Sequence, residues 1–532
     1  MIGYLIQSPV EYYANQTPNH AALSMAGEEL SYSSLDLAAN QLANSLIANG
    51  IKPQQHVGIF LHKCLNLGVA IYGALKAGCV FVPLDPFTPP DRLKFILEDC
   101  DIKHLVSSDV QIRTLKSLDL QKQLYIYGVD GETNFTQTNW SDIKQYPQTQ
   151  PTLDIIDQDL GYIMYTSGST GFPKGMMHTH HGSVSYARWG AAHVKLNSSD
   201  RVASHAPLHF DLSIFDFFST AQSGATVVLV PEPVTRLPAS WSKYVEDERI
   251  SVVFTVPYTL ITMLENGAME KRDLSSLRWI MFGGEPFPPR QLRRLMQALE
   301  GVTFTNVYGP AEAPSCTCYD IPSPPLNDDE PLPIGIVSRN SEDIIIDSEG
   351  NDCKIDEPGE LCIRSSTLTR GYWNRDDLSD KAFLTRPSSG HFPKVYYRTG
   401  DRVVRYQDGL LRFLGRMDRM VKTRGQRVEL DEIEAVIATH EGVSEVAAFT
   451  IPDDFGSNSI IAAVTLNTNA SLNNDVNTSD LILLAKSQLP QYAVPTEIAV
   501  VEQLPHTSTG KIDRRNLSES WKRNRVTQPE TK

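Results

Sequence analysis

Residues 162–175 read YIMYTSGSTGFPKG, and this stretch decides how the rest of the chain is read. Thr166, Ser167, Ser169 and Thr170 surround Gly168 and Gly171, and the run ends on Pro173, Lys174 and Gly175. Small hydroxyl side chains on a loop with few β-carbons let backbone N–H groups and hydroxyls close around phosphate oxygens. Gly161–Tyr165 is apolar and predicts a short buried strand that delivers the loop. A Walker P-loop does not fit, because its Lys is followed directly by Ser or Thr in a fixed glycine frame, whereas Gly175 follows Lys174. A Ser/Gly-rich linker is the bland alternative, but linkers rarely pair an apolar strand with a Pro-Lys-Gly ending.

Outward from this loop, strand-like and helix-like runs alternate through the first part of the chain. His56–Leu61 and Cys79–Pro83 flank a helical stretch from Leu65 to Ala77, and the alternation recurs at Ala225–Val230, Ser251–Val256 and Leu277–Phe282. Such βα succession predicts parallel sheets with helices on their faces, hence an α/β fold. Ligands in open α/β sheets collect at the carboxyl ends of strands, where the motif loop is expected to lie. Asn134–Pro151 reads as a surface loop. After the Pro- and acid-rich segment Pro322–Pro333, short strands and turns are expected from Asp343 to Phe413, with a hairpin signal at Gln407-Asp408-Gly409. Beyond Asp418 a compact α/β unit is expected: a helix from Leu430 to Thr439, strands near Val443–Ile451 and Ile460–Leu466, and a helix near Leu481–Gln488. A domain boundary is placed close to Asp418, and the polar residues after Asn516 are expected to fray.

Composition narrows the class. The 532 residues are 41% hydrophobic and 21% charged, as in an ordinary globular protein. A formal charge of −15 (48 Lys+Arg against 63 Asp+Glu) argues against a general nucleic-acid binder, whose affinity comes from phosphate neutralisation. The N-terminus lacks the basic and apolar regions of a signal peptide, and no apolar run reaches a membrane-spanning length. Seven scattered cysteines fit reduced thiols in a cytoplasmic enzyme better than a disulfide framework. Cys316 and Cys318 have no second pair at zinc spacing, and His178, His180 and His181 read as a polar loop rather than metal ligands.

An ordered set of motifs now joins the loop: LSYSSLD at 30–36, LKAGCVFVPLDP at 75–86, YGPAE at 308–312, YRTGD at 397–401, the run Gly415–Glu429, and PHTSTGKID at 505–513. Together these closely resemble the adenylate-forming superfamily, which contains peptide-synthetase adenylation domains, acyl-CoA synthetases and luciferases. The likeness spans nearly the whole chain in family order. It implies a large N-terminal domain (1–417) of two αβ-layered subdomains and a small β-rich part about 335–417. A small mobile α+β C-terminal domain (418–532) would follow. The implied chemistry is a two-step ligation. A carboxylate attacks the α-phosphate of ATP and releases pyrophosphate, and a thiol then displaces AMP.

By the same resemblance, Lys511 is catalytic and bridges the attacking carboxylate and the α-phosphate. Glu312 would hold Mg2+, Asp401 would accept from ribose hydroxyls, and Arg416 would meet the ribose-phosphate side. Tyr308 would stack on adenine, while Asn306 and the backbone at Gly284 would read its edge. Thr166, Ser167, Gly168, Ser169, Thr170, Gly171 and Lys174 would hold phosphates. Standing alone, Asp401, Arg416 and Lys511 would be ordinary turn or loop residues; their shared order favours function. The family usually has Thr where this chain has Ala311, a loss of about 1 kcal/mol of phosphate binding. Asp418 would be the hinge, since Lys511 and the arriving thiol need the same carbonyl, and Gly425 would lie where the pantetheine arm passes.

Asp211 in HFDLSIFD matches the position that pairs with an α-amino group in amino-acid-activating members. A buried carboxylate is costly unless a cation meets it, which favours an ammonium or aminium substrate over a fatty acid. The bland alternative is that Asp211 caps the helix beginning there. Leu212, Phe215, Phe254, Met281, Gly283, Val307, Ser315 and Cys316 align with the other pocket positions, although Leu212 and Phe215 also read as plain core. HFDLSIFDFF, FGGEPFPP and YGPAEA resemble stand-alone proline-activating enzymes that load a separate phosphopantetheinylated carrier protein. L-Proline is therefore the expected substrate. D-Alanine, another small amino acid, or an acid joined to coenzyme A remain alternatives, as does a non-catalytic nucleotide-binding protein. The short stretch after Lys511 leaves no room for a carrier domain, so the carrier is expected to be a separate chain.

Overall fold

The computed structural model describes residues 3–120, 123–152, 154–168, 172–387, 390, 392–453, 455–467, 476–506 and 512–526. The chain divides into two compact units. The first comprises Met1–Pro86, Lys94–Tyr165 and Lys174–Met417, and the second Phe87–Leu93, Thr166–Pro173 and Asp418–Lys532. Two short segments from the N-terminal part of the chain therefore belong to the second unit.

The first unit holds two mainly parallel sheets, as the alternation predicts. One has seven strands in the order Thr136–Thr138, Tyr125–Tyr127, His104–Val106, His56–Ile59, Val80–Pro83, Leu160–Thr166, Lys174–Thr179. The other has nine, with a parallel centre of Thr303–Tyr308, Trp279–Gly283, Val252–Thr255, Arg201–Ser204, Thr226–Leu229 and Ala21–Met25. Antiparallel strands close both of its edges. Val80–Pro83, Thr226–Leu229, Val252–Thr255 and Trp279–Gly283 are buried at every residue. Their unbroken apolar runs are those of strands covered on both faces. One core cluster joins Val57, Phe81 and Met164 of the first sheet to Val202, Val227, Phe254 and Met281 of the second.

The helices Tyr32–Ala48 and Leu65–Lys76 pack into that same cluster. Ser31 caps the first, its hydroxyl accepting from Ser34 N at 3.2 Å. The second ends on a buried Lys76, whose charge is met by Asp36 Oδ1 at 2.9 Å and Glu11 Oε1 at 3.1 Å. A buried cation needs such partners.

Residues 341–416 form a five-stranded antiparallel sheet built around the twelve-residue strand Lys394–Arg405, which pairs with Leu411–Arg416 across the turn at Gly409. The second unit contains the hairpin Met420–Thr423/Gln426–Glu429, a three-stranded sheet, and the helices Leu430–Ala438 and Thr478–Gln488. Its strands Val443–Pro452 and Asn458–Leu466 lie where the sequence puts them.

Three expectations change. The residues just after Asn516, expected to fray, lie in a helix, Arg514–Val526, with Leu517 in a core cluster. Asn134–Pro151 is not all loop: Thr136–Thr138 adds an edge strand, and Asn139 caps a short helix at Trp140–Ile143 by accepting from Asp142 N at 2.8 Å. The carbonyls that follow accept from Asn40, Gln41 and Asn44, which ties this segment down. The helix after Asp211 is also irregular, passing from Leu212–Ile214 through a π-turn at Phe215–Ser219 to Thr220–Gln222. Such π-bulges tend to mark functional sites.

Candidate active site

In the first unit, a long strand and its neighbour bring Asp401 and Arg416 directly opposite each other. Arg416 Nη1 donates to Asp401 Oδ1 at 2.8 Å and to the Thr399 carbonyl at 2.5 Å. The Tyr308 hydroxyl donates to Asp401 Oδ2, and the Asp401 amide donates to Thr399 Oγ1 at 3.0 Å. Both oxygens of this buried carboxylate are thus oriented. Burial and the neighbouring charge of Asp401 raise the Tyr308 phenol well above its usual value, so it stays a donor. A carboxylate offers about four lone-pair positions, so a sugar hydroxyl can share an oxygen with Arg416 or Tyr308. The Tyr308 ring lies 6.5 Å from that of Phe413. Asn306 is on the same strand as Tyr308, and its amide nitrogen donates to the Pro333 carbonyl at 2.8 Å. Gly284 follows the adjacent strand with φ of 94°.

A second cluster forms around Glu312, which is fully buried. Its Oε1 accepts from the Tyr372 hydroxyl at 2.6 Å and lies 3.6 Å from Lys174 Nζ. Beside it His178 stacks on Tyr162, with ring centroids 4.7 Å apart. Burial holds the His178 imidazole down to about 4, against the pull of Glu312. Among the described residues, His, Cys, Asp and Glu form no group of three or more that could hold a metal ion. A single buried carboxylate oxygen donor still suits Mg2+, which characteristically takes one or two carboxylates and completes its shell with substrate phosphates.

The third cluster begins at Asp211. It is half-buried and makes no side-chain cap bond to the helix it precedes, so capping does not account for it. Its charge raises the buried phenols of Tyr162 and Tyr186 beyond the larger effect of desolvation. Leu212, Phe215, Phe254, Met281 and Val307 lie together in the core cluster, with Phe215 and Phe254 edge to face at 5.6 Å. A Cβ on Gly283 would fall 2.3 Å from the Val307 carbonyl, so this register requires glycine. Ser315 donates to the Tyr186 hydroxyl at 3.3 Å, and Ser338 donates to the Ser315 carbonyl at 2.7 Å. Ser315, Tyr186, Trp189 and Thr367 also line a small surface cleft. Cys316 packs apart from this wall, in the cluster of Tyr308, Leu361 and Val403.

In the second unit, Thr166 Oγ1 is shielded from solvent with no hydrogen-bond partner among the described residues, and Ser167 donates to the Arg427 carbonyl at 2.8 Å. A Cβ on Gly168 would meet the Phe172 carbonyl at 2.1 Å. Asp418 Oδ1 accepts from the Met420 amide at 3.1 Å, and Gly425 turns the hairpin with φ of 77°. Ser169, Thr170, Gly171 and Lys511 lie outside the described residues.

Three residues escape a sequence reading. Tyr372 contacts both Glu312 and Lys174 but stands in no periodic pattern. Thr399 lies inside the YRTGD run but is given no role there, yet its hydroxyl accepts from the Asp401 amide. Tyr186 has a weak signal, as an aromatic pair with Trp189 at helical spacing (5.8 Å between rings).

The family model of AMP-binding enzymes matches residues 10–373, and that of the AMP-binding enzyme C-terminal domain matches 432–511. The L-proline–[L-prolyl-carrier protein] ligase of Pseudomonas fluorescens is 31% identical over 497 residues, which is 93% of this chain and 95% of that protein. Tyrocidine synthase 3 of Brevibacillus parabrevis is 32% identical over 96% of this chain, but the chain spans only 7% of its length. Among solved structures, the Vibrio cholerae adenylation domain AlmE in complex with glycyl-adenosine-5'-phosphate aligns with a TM-score of 0.83 at 24% identity. That alignment covers 98% of each chain, a likeness of fold.

Proposed function

The chain belongs to the AMP-binding enzymes and is an ATP-dependent, AMP-forming ligase. From that premise we propose that it activates L-proline as prolyl-AMP and passes the prolyl group to the phosphopantetheine thiol of a separate carrier protein. The observation that carries the substrate is Asp211, a half-buried carboxylate beside the wall of Leu212, Phe215, Phe254, Met281 and Val307. Such a carboxylate calls for a cation. The secondary aminium of proline supplies one, and its compact ring suits the uncharged wall. The 31% identity to a proline–carrier-protein ligase over nearly the whole chain supports the same reading.

In the first step a proline carboxylate oxygen attacks the α-phosphorus of ATP and pyrophosphate leaves. Negative charge crowds the α-phosphate, so catalysis is chiefly positioning and cation stabilisation. Lys511 and Lys174 would provide cations, Thr166–Gly171 would hold phosphates, and Asp401 with Arg416 would orient the ribose. Tyr308, Asn306 and Gly284 would receive adenine. Glu312 would hold Mg2+, which when bound neutralises phosphate charge. In the second step the thiol sulfur attacks the prolyl carbonyl carbon, its proton leaves, and AMP departs. Gly425 would border the pantetheine arm, and rotation about Asp418 would exchange the two poses.

Substrate-dependent ATP–pyrophosphate exchange tests this. Exchange is expected with L-proline and not with acetate or fatty acids. Exchange with D-alanine alone would replace the substrate, and exchange with simple acids alone would remove the role of Asp211.

A further inference from the structure

The phenol of Tyr372 stands between two charged groups. It donates to Glu312 Oε1 at 2.6 Å and accepts from Lys174 Nζ at 3.3 Å. The same ammonium lies 4.5 Å from the centroid of the Tyr372 ring and 3.6 Å from Glu312 Oε1. Tyr372 is 4% exposed, and Glu312 is not exposed at all. The Tyr372 backbone is fixed independently of the phenol. Met176 and Tyr372 form an antiparallel bridge, Trp373 N donates to the Gly175 carbonyl at 2.7 Å, and Tyr372 N donates to Ser379 Oγ at 2.9 Å.

We propose that Tyr372 is a positioning residue that orients the Glu312 carboxylate for a divalent cation and keeps Lys174 from closing on it. The inference rests on the assignment of Glu312 to the metal. A direct Lys–carboxylate hydrogen bond is about 2.8 Å long, and Lys174 stops short of that distance because its ammonium is shared between the phenol oxygen and the ring face. The hydroxyl thereby separates two jobs. Lys174 keeps its charge for phosphate, and Glu312 keeps its charge for the cation. Removal of the hydroxyl lets the ammonium collapse onto the carboxylate and neutralise it. Hydrogen-bonded partners of metal-ligating groups act in this way, and their loss costs about 10–100-fold in metal affinity.

The test is Tyr372→Phe in the full chain, with ATP binding measured by calorimetry over a magnesium series without amino acid. The Mg2+ concentration that supports half of the ATP binding should rise about tenfold, and ATP binding in EDTA should weaken as well, because Lys174 is drawn away from the phosphates. In pyrophosphate exchange the Mg2+ requirement should rise while kcat at saturating Mg2+ is kept. An unchanged Mg2+ requirement, or a lower kcat without a Mg2+ shift, overturns the proposal. Ser379→Ala displaces the same ring through its backbone and should shift the Mg2+ requirement in the same direction by less; no shift would count against the proposal. Glu312→Gln separates the layers. If this variant keeps its Mg2+ dependence, the metal assignment itself falls. If it loses that dependence, adding Tyr372→Phe should change nothing further, and an additive loss would show that Tyr372 acts elsewhere.

Discussion

Asp401 serves two partners of different kinds, a guanidinium held by a strand register and, by proposal, a nucleotide held by its sugar. Because Arg416 and Tyr308 already orient both oxygens, Asp401→Asn should keep the shape and lose the charge. KM for ATP should rise at least tenfold with KM for proline little changed, read by pyrophosphate exchange. Asp401→Ala would remove the carboxylate from a half-buried guanidinium that keeps the Thr399 carbonyl, and should also destabilise the first unit by about 1–3 kcal/mol. Asp211→Asn should do the reverse, raising KM for proline about 100-fold while ATP binding holds; equal losses in both would disconnect Asp211 from the amino group. Protonation at His178 gives a third residue-scale expectation. Burial holds its folded imidazole down to about 4, so it is neutral where the unfolded imidazole, near 6.5, takes up a proton. Its contribution to stability is complete above about pH 6.5 and fades as pH falls toward 4, by about 3 kcal/mol at most. Thermal unfolding at pH 7.5 and 5 should show the decline, and His178→Gln should lessen it.

At the scale of elements, the parallel strands were readable because each is a run of β-branched or aromatic residues buried on both faces. The motifs that resemble a nucleotide site stand out for a different reason, their order along the chain. What the sequence concealed is pairing across distance. Tyr308 meets Asp401 because two sheets bring them together, and Tyr372 meets Glu312 across connecting segments sixty residues apart; no local periodicity encodes such contacts. The π-turn at Phe215–Ser219 was hidden as well, since FDFFS has the apolar content of any buried helix. Gly283 was visible only as an aligned position, yet the sheet makes it obligatory. It sits opposite Val307 in the register, and a Cβ there would lie 2.3 Å from that carbonyl. Gly283→Ala should therefore separate the carboxyl ends of the two strands that carry Met281 and Tyr308. A fall in Tm and a rise in KM for both substrates are expected; a rise for proline alone would mean the strand absorbs the methyl and only the pocket narrows.

For the whole molecule, the proposed chemistry needs a cation in its first step and passage for a thiol in its second. Lys511 is assigned to the first step and Gly425, at the hairpin turn of the second unit, to the second. If the second unit turns about Asp418, the two half-reactions should separate by mutation. Lys511→Ala should slow pyrophosphate exchange by roughly 1,000-fold, as loss of a transition-state cation does, yet still transfer proline from supplied prolyl-AMP to the carrier. Gly425→Ala should leave exchange within a few-fold and slow carrier loading. Because φ at Gly425 is 77°, any side chain there adds backbone strain, so the comparison needs Gly425→Asn, whose backbone tolerates that region better than alanine. If the arm's passage is what matters, both variants slow loading, and asparagine, with the larger side chain, slows it more. If strain alone matters, asparagine should be the milder variant. Should either variant slow exchange and loading equally, one rigid arrangement would be serving both steps and the rotation about Asp418 would have to be given up.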